Sequence, residues 1–462
     1  MIESQLSSFE RIHFIGIGGI GMSALAQLLI SLGYKVSGSD RDLQTPAQVK
    51  LFNQLRKQGV EVFLQDGSAI AETDAQVLVY SSAIEESNAD FQAGKDLPRL
   101  HRSMALKQAL DQTGLIQIAV AGSCGKTSVT GWLASALESL GQNPMMVNGG
   151  YSHDFSTVDF PGNFKPGEKF VVYEADESDG SLVNFSPDYS LLLNTGTDHH
   201  DYADLKVMFS KFLENAKQAK IANDTLADMT PNNETDLLTF SSDSGTILLK
   251  SHKHKNEGLS LSTNLHEEVR TQQWGDHSAE NALAVLTVLK ACGCSDSDAA
   301  KALYAFKGVL RRFDFKGDNE LYYVYDDYAH NPEKIAACLK TAQKISDRPV
   351  LGLFQAHGFG PLAFMRDALK EELSGALRPQ DSFVFLPVFY AGGSSSFTPS
   401  AEEVAVDYQR TLDNVFHVSS KDAVEDFLAG NVKEPTTVVV LGARDPSLPD
   451  WASSLSPLEF QR

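Results

Sequence analysis

Short apolar runs alternate with amphipathic stretches of helical length through most of this chain. In the first third, the strand-like runs fall at 11–15, 35–39, 60–63 and 77–80. In the last third, they fall at 322–326, 350–354, 382–386 and 437–441. Because helical stretches separate these strands, both ends of the chain are predicted to form open, doubly wound α/β domains.

The middle third begins with the same pattern and then departs from it. Strand-like runs at 116–120, 170–173 and 189–193 are followed by a polar stretch from 223 to 273. That stretch predicts either an antiparallel sheet edge or a poorly ordered insert, and a helix over 279–291 comes after it. The predicted domains therefore span residues 1–108, 109–310 and 311–462.

Composition and charge narrow the classes of function. The 462 residues are 42% hydrophobic and 21% charged, an ordinary composition for a soluble chain of two to four domains. The net charge of −21 argues against nucleic-acid and anionic membrane partners, because phosphate groups demand a basic surface. No apolar run approaches a membrane span, and the N-terminus lacks a signal-peptide pattern. The cysteines form no regular framework and fit reduced thiols, so a cytoplasmic protein is expected.

A glycine-rich loop follows the strand-like run at 116–120. It reads Ala-Gly-Ser-Cys-Gly-Lys-Thr-Ser from Ala121 to Ser128 and opens a helix. Such a loop aims backbone N–H groups and the positive end of a helix dipole at one point. Lys126 suits the β- and γ-phosphates of ATP, and the Thr127 hydroxyl suits Mg²⁺. Only the short G-x-x-G-K-T form is present, so an ordinary helix start capped by threonine is the alternative. The predicted ATP contacts here are Gly122, Ser123, Gly125, Lys126, Thr127 and Ser128.

A second glycine-rich turn lies after the first strand. Gly16-x-Gly18-x-x-Gly21, with Asp40 ending the next strand, matches the dinucleotide fingerprint. Alone it would indicate an NAD-dependent dehydrogenase. The same geometry suits any pyrophosphate, including that of a UDP-sugar, and the separate ATP loop disfavours the dehydrogenase. A glycine-rich turn without a ligand is the remaining alternative.

Charged residues follow two other strands, and an arginine precedes a third. Glu174 opens the acidic run Glu-Ala-Asp-Glu-Ser-Asp, where carboxylates would hold Mg²⁺; a solvated acidic turn is the alternative. Asp198 and His199 follow the run at 189–193 and suit a second metal or a structural role equally. Arg312 lies at the second domain junction, where it would reach the γ-phosphate unless it belongs to a surface arginine pair.

Taken in order, these segments resemble the Mur ligases, the ATP-dependent amide-forming enzymes of peptidoglycan synthesis. The resemblance covers most of the chain, and its opening and acidic motifs are most similar to the alanine-adding members. The motifs that carry it are His13-Phe-Ile-Gly-Ile-Gly-Gly-Ile-Gly-Met-Ser, Ser81-Ser-Ala-Ile, the Gly-Lys-Thr loop, Glu174-Ala-Asp-Glu-Ser-Asp, Asp198-His199, Gly275-Asp-His-Ser-Ala-Glu-Asn-Ala, Gly308-Val-Leu-Arg-Arg-Phe and Asp327-Tyr-Ala-His-Asn-Pro.

The resemblance implies a three-domain α/β enzyme. An N-terminal Rossmann-like domain would bind a UDP-sugar. A central P-loop ATPase-type domain would bind ATP and Mg²⁺, and a C-terminal Rossmann-like domain would bind the amine. A carboxylate, that of UDP-N-acetylmuramate or a similar UDP-sugar, becomes an acyl-phosphate that an amino acid attacks. A ligase adding another amine or a peptide, as in cell-wall recycling, is the alternative, and a non-catalytic binding protein is a more distant one. A monomer or homodimer is expected.

The same resemblance assigns residues to roles. The UDP-sugar contacts would be Gly16, Gly18, Gly19, Ile20, Gly21, Asp40 and Ser82. Asn281, Arg312 and Asp327 would add to the ATP contacts, and Thr127, Glu174 and His199 would hold metal. Lys126, Glu174, His199 and Arg312 would be catalytic. Tyr328 and His330 would line the amine pocket.

The chain also departs from the family pattern. Alanine-adding members usually carry Phe-Gln-Pro-His-Arg-Tyr-Thr-Arg after a C-terminal strand, whereas this chain reads Phe-Gln-Ala-His-Gly-Phe-Gly-Pro over 354–361. Gly358 and Pro361 therefore replace two arginines, whose fork is the natural clamp for an amino-acid carboxylate. The amine is left open. Smaller departures are Ser123-Cys124 for Thr-His, Gly196 for Glu and Ser278 for Asn.

Overall fold

The computed structural model describes residues 5–196, 201–230, 237–255, 258–390 and 397–456. The chain divides into two compact units. The first comprises residues 1–253, 257–273 and 277–309, and the second comprises 254–256, 274–276 and 310–462. The first unit contains two sheets and the second unit one.

The N-terminal sheet of the first unit is a five-stranded parallel sheet in the order β3-β2-β1-β4-β5. Its order reverses beside β1, where the glycine-rich turn lies, and α/β sheets bind ligands at such a point. The elements are β1 (Arg11–Ile15), α1 (Ile20–Ser31), β2 (Lys35–Asp40), α2 (Pro46–Lys57), β3 (Glu61–Leu64), α3 (Ser68–Glu72), β4 (Val77–Tyr80), α4 (Ala89–Ala93), β5 (Arg99–His101) and α5 (Arg102–Thr113).

The second sheet of this unit has ten strands in the order β15-β14-β13-β12-β11-β10-β6-β9-β7-β8. Its elements are β6 (Ile116–Ala121), α6 (Lys126–Ser139), β7 (Met145–Val147), β8 (Phe164–Lys165), β9 (Phe170–Glu174), β10 (Tyr189–Leu192), α7 (Tyr202–Glu214), β11 (Ala219–Asn223), β12 (Leu237–Ser241), β13 (Ile247–Lys255), β14 (Gly258–Thr263), β15 (Val269–Arg270), α8 (Asp276–Ala291) and α9 (Asp296–Ala302). The polar stretch thus contributes β12 to β15, and its outermost pair, β14 and β15, is antiparallel.

The sheet of the second unit has six strands in the order β16-β17-β21-β18-β19-β20, with only β16 antiparallel to its neighbour. The elements are β16 (Asp314–Asp318), β17 (Tyr322–Asp327), α10 (Pro332–Ile345), β18 (Val350–Gln355), α11 (Phe359–Ala376), β19 (Ser382–Phe385), α12 (Ala401–Tyr408), β20 (Val415–His417), α13 (Ala423–Asn431), β21 (Thr436–Gly442) and α14 (Leu448–Ser454). The predicted α/β architecture with parallel sheets is therefore confirmed.

Burial explains why these segments form strands. Every residue of β21 is buried, and so are five of the six residues of β6. Strands covered by helices on both faces carry continuous apolar runs, which is the signal that the sequence provides. The predicted strand bounds differ from the observed ones by no more than one residue, and Glu174 is the last residue of β9 instead of the first residue after it. Among the described helices, none combines the length and apolar character that crossing a membrane requires.

Candidate functional site

The loop predicted to bind phosphate lies between β6 and α6, in the strand–loop–helix setting that the sequence predicts. Gly122 and Gly125 both have positive φ angles, 135° and 89°, which favour glycine. Lys126, Thr127 and Ser128 form the first turn of α6. Asn194, which follows β10, holds the loop: its Oδ1 accepts a hydrogen bond from Cys124 N at 2.9 Å, and its Nδ2 donates one to Cys124 O at 3.0 Å. The loop is therefore fixed by a neighbouring strand end before any ligand binds.

Lys126 is paired inside the protein. Its Nζ donates to Glu177 Oε2 at 2.7 Å and to the carbonyl oxygen of Gly122 at 2.6 Å. The side chains of Lys126 and Glu177 are only 14% and 4% exposed. The ammonium group is thus held over the loop by a carboxylate from the acidic run, in a site where a phosphate would find a cation.

Two oxygen ligands suitable for a hard cation meet beside the loop. Thr127 Oγ1 donates to Glu174 Oε2 at 3.2 Å, and Glu174 Oε1 accepts from Gly149 N at 2.5 Å. A hydroxyl and a carboxylate at this separation fit the all-oxygen preference of Mg²⁺. His199, the other predicted metal ligand, lies outside the described residues. Asn281 is brought to the loop as well, since a β-carbon at Gly125 would lie 2.9 Å from Asn281 Oδ1.

Side chains of the protein itself lie close to the glycine-rich turn of the N-terminal sheet. Asp40 is buried, and its Oδ2 accepts from Gly18 N at 2.8 Å while its Oδ1 accepts from Asp42 N at 2.9 Å. Burial raises the pKa of Asp40 above its usual value, against the lowering effect of these hydrogen bonds. A β-carbon at Gly21 would clash with the guanidinium of Arg102.

The other predicted UDP-sugar residues surround the same turn. Gly16 has a φ of 76°, Gly19 is the N-cap of α1, and Ile20 is its first residue. Ser82 Oγ lies 3.0 Å from His101 Nε2, and His101 Nδ1 lies 2.7 Å from Ser103 Oγ. The pKa of His101 is lowered, chiefly by burial. Ser82 is therefore connected to the start of α5.

A cavity of about 300 Å³ joins the two halves of the first unit. One wall is the turn at Ile20 and Gly21, and the other contains Gly149 and Glu174. Its further lining residues are Ala24, Leu25, Arg102, Ser103, Leu106, Val147, Asn148, Asp176, Ser181 and Phe185. The predicted metal ligand Glu174 and the predicted sugar loop thus share one cavity.

Two residues of this cavity, Arg102 and Asn148, and the nearby Glu177 were not assigned a role from the sequence. The Arg102 guanidinium lies 3.8 Å from the Asp176 carboxylate and beside Gly21. Asn148 is 2% exposed, and neither its Oδ1 nor its Nδ2 has a hydrogen-bond partner among the described residues. Glu177 pairs with Lys126. Arg102 directly follows β5, so its position as a cation at a strand's carboxyl end could have identified it from the sequence. We find no sequence feature that could have identified Asn148.

In the second unit, the side chains of Arg311 and Asp327 form hydrogen bonds with nearby backbone groups. Arg311 bonds Asp326 at 3.2 Å and the carbonyl oxygens of Ala443 and Gly442 at 2.8 and 2.6 Å. Asp327 accepts hydrogen bonds from the backbone N–H groups of Phe313 and Ala329, both at 2.7 Å. Arg312 is exposed, and its guanidinium lies 5.8 Å from the ring centre of Tyr328. The ATP roles assigned to Arg312 and Asp327 stay predictions.

Tyr328 and His330 follow β17 and meet His357, which follows β18. The ring centres of His330 and Tyr328 are 5.6 Å apart, and those of His330 and His357 are 5.2 Å apart. Burial, with the positive charges of His330 and Arg444, lowers the pKa of His357 to about 4. His357 is therefore neutral at pH 7.

The segment that lacks the two arginines starts α11. Gly358 has φ 149° and ψ 155°, and a β-carbon there would lie 3.2 Å from Pro361 Cδ. The Phe359 ring packs against Phe397 and Tyr390, with ring centres 5.4 and 6.2 Å away. Aromatic contacts thus take up the region next to the positions where the family pattern has arginines.

Three family models match successive parts of the chain. "Mur ligase family, catalytic domain" matches residues 11–113, "Mur ligase middle domain" matches 120–289, and "Mur ligase, glutamate ligase domain" matches 311–444. Together they cover most of the sequence, in the order that the three sheets follow.

Individual proteins agree with these models. A UDP-N-acetylmuramate–L-alanine ligase of Carboxydothermus hydrogenoformans is 31% identical over 460 residues, covering 96% of each chain. The crystal structure of a UDP-N-acetylmuramate-alanine ligase from Thermotoga maritima superposes with a TM-score of 0.80 at 26% identity, covering 96% of this chain and 98% of that one. A murein peptide ligase from Psychrobacter arcticus shares the fold, with a TM-score of 0.66 at 22% identity over 97% of this chain and 98% of that one. The predicted membership is confirmed, and the chain belongs to the Mur ligase family.

Proposed function

We propose that this protein is an ATP-dependent ligase that joins the carboxylate of UDP-N-acetylmuramate to the amino group of an amino acid, as a step in making peptidoglycan precursors. One observation carries the proposal: Lys126, Thr127 and Glu174 converge beside a cavity whose opposite wall is the glycine-rich turn of the N-terminal sheet. A phosphoryl donor site and a nucleotide-sugar site in one cavity suit a reaction in which the sugar's carboxylate is phosphorylated.

The chemistry takes two steps. A carboxylate oxygen attacks the γ-phosphorus of ATP, the bond to the bridging oxygen breaks, and ADP leaves. The amine nitrogen then attacks the acyl carbon, the bond to the phosphate oxygen breaks, inorganic phosphate leaves, and the amine gives up a proton. Phosphoryl transfer depends chiefly on positioning and electrostatic stabilisation.

Residues of the first unit provide this positioning and electrostatic stabilisation. Lys126 exchanges its bond to Glu177 for a phosphate oxygen, so its charge follows the phosphoryl group. Thr127 and Glu174 would hold Mg²⁺, which neutralises charge on the phosphates when bound. Arg102, beside Gly21, places a cation where a pyrophosphate meets the start of α1. The resemblance implies roles for four further residues. His199 would hold metal, and the ATP contacts would include Asn281, Arg312 and Asp327.

The amine remains the open part of the proposal. The relatives named above make L-alanine the first candidate. The absence of arginines at Gly358 and Pro361 keeps a different amine or a peptide as the second. We further propose a cytoplasmic enzyme, since all four cysteines are free thiols in the structure.

Product formation tests the proposal. The protein is incubated with ATP, Mg²⁺, UDP-N-acetylmuramate and a panel of amino acids and peptides, and ADP, phosphate and product mass are measured. Full turnover should require both the UDP-sugar and an amine. Lys126→Met should lower its rate by about 10²-fold or more, whereas the surface variant Lys206→Met should not. ATP turnover that ignores the UDP-sugar, or tight NADH binding without ATP turnover, would contradict the ligase.

A further inference from the structure

Arg444 lies at the ligand-binding edge of the sheet in the second unit. It comes two residues after Gly442, the last residue of β21, which is in register with Gln355 of β18. On its other side β21 pairs with β17, which leads to Tyr328 and His330. Arg444 thus follows the strand that separates the two loops carrying the histidines. Open α/β sheets bind ligands outside these carboxyl ends.

No carboxylate in the part of the chain that the structure describes neutralises Arg444. Its side chain is exposed and makes neither a hydrogen bond nor an ion pair there. The neighbouring Asp445 is bound by Lys421 Nζ at 2.7 Å and by the backbone N–H of Ser447 at 2.9 Å. Asp326 is engaged by Arg311 at 3.2 Å. The guanidinium therefore presents an uncompensated positive charge.

That charge acts on His357. Arg444 is one of the groups that lower the pKa of His357, after burial and His330. The imidazoles of His357 and His330 meet edge to face. A cation and two aromatic rings that also carry hydrogen-bonding nitrogens thus form one cluster at the sheet edge.

The adjoining loop supplies no cation of its own. Residues 357–361 read His-Gly-Phe-Gly-Pro, and the φ of Gly358 is one that favours glycine. An arginine at that position would be strained in the present backbone. An anion that binds beside this loop must therefore find its cation on another element, and Arg444 lies two residues after the end of the neighbouring strand β21.

On the basis of the ligase function proposed above, we propose that Arg444 binds the α-carboxylate of the amine substrate, and that this substrate is a free amino acid. A guanidinium pairs with a carboxylate through two parallel hydrogen bonds, which fixes its orientation as well as its position. Because Arg444 follows the strand between the loops of Tyr328 and His357, it suits a substrate whose amine and carboxylate share one carbon. A peptide displaces its carboxylate by about 3.5 Å for every added residue.

The test separates this inference from the ligase itself. Hydroxylamine intercepts an acyl-phosphate as a hydroxamate without needing a carboxylate on the amine. Hydroxamate that forms from ATP and UDP-N-acetylmuramate establishes the first step, and its absence would overturn the proposed function. The inference is then tested on the ratio of kcat/KM for L-alanine to that for ethylamine, which lacks only the carboxylate.

We expect Arg444→Met to lower this ratio by about 10- to 100-fold, because charge-assisted hydrogen bonds are lost. Arg444→Lys should give an intermediate ratio, since it keeps the charge without the fork. The matched control Arg410→Met removes another exposed guanidinium of the same unit and should keep the wild-type ratio. By NMR, the pKa of His357 should rise in Arg444→Met. An unchanged ratio in Arg444→Met, or a wild-type enzyme that prefers peptides to every amino acid, would overturn the inference.

Discussion

Replacing Lys126 should affect activity and stability through separate causes. Lys126→Ala removes a preorganised phosphate donor, which typically lowers kcat by about 10²-fold or more, about 3 kcal/mol. It also leaves Glu177, whose side chain is 4% exposed, without its ammonium partner at 2.7 Å. Breaking a buried ion pair in this way costs about 3 kcal/mol. At roughly 2 °C per kcal/mol for a large domain, the melting temperature should fall by about 6 °C.

A second variant separates these two effects. Lys126→Met/Glu177→Gln removes both charges, so most of the lost stability should return, whereas the rate of ADP formation should stay low. Thermal unfolding monitored by circular dichroism gives the first quantity, and a coupled ADP assay at saturating substrates gives the second. If the double variant recovered near-wild-type kcat, Lys126 would have no part in phosphoryl transfer, and the central claim about this loop would be refuted.

Three further predictions concern the cavity and the second unit. Asn148→Ala should leave the melting temperature unchanged or raise it, because the buried side-chain amide has no hydrogen-bond partner among the described residues. The KM for UDP-N-acetylmuramate should rise about tenfold, and a loss of stability with a normal KM would show a structural role. Glu174→Gln should raise the Mg²⁺ concentration for half-maximal activity by about tenfold or more, measured by titration with the exposed Glu72→Gln as the matched control. His357 has its folded-state pKa lowered to about 4, so unfolded chains take up protons first as the pH falls below 6.5. Stability should therefore decline between pH 6.5 and 4, by about 1 kcal/mol after allowing for solvent screening, and His357→Gln should lose that part of the pH dependence in denaturant titrations.

Much of the fold was predictable because it depends on short-range patterns. The strands at 11–15 and 77–80 were predicted to the residue, since parallel strands covered on both faces appear as uninterrupted apolar runs. The polar stretch from 223 to 273 was harder. Its strands are partly exposed and alternate less regularly, so the sequence left a sheet edge and an unordered insert equally open.

The candidate site was predictable where one motif contains all of its parts. Gly122, Lys126 and Thr127 are close in sequence, and Glu174 ends a strand that pairs with β6, so topology brings them together. Contacts between distant segments were not predictable. Lys126 and Glu177 are 51 residues apart and meet because β6 and β9 are neighbouring strands. Arg102 reaches Gly21 because α5 and α1 belong to the same N-terminal domain, and no local spacing encodes either contact.

The glycine-rich turn shows how the same motif can support two different ligands. Its spacing indicates that backbone or ligand comes close to Gly18 and Gly21, but it does not say which group approaches. In this protein Gly18 is approached by Asp40, whose two oxygens already accept backbone hydrogen bonds, so this carboxylate is occupied where a dinucleotide enzyme would use it on a ribose. Gly21 is approached by the Arg102 guanidinium. The UDP-sugar proposed to bind at this turn would meet a cation and a helix N-terminus, which suit its pyrophosphate better than recognition through the ribose. The fingerprint alone therefore pointed to the wrong class of enzyme.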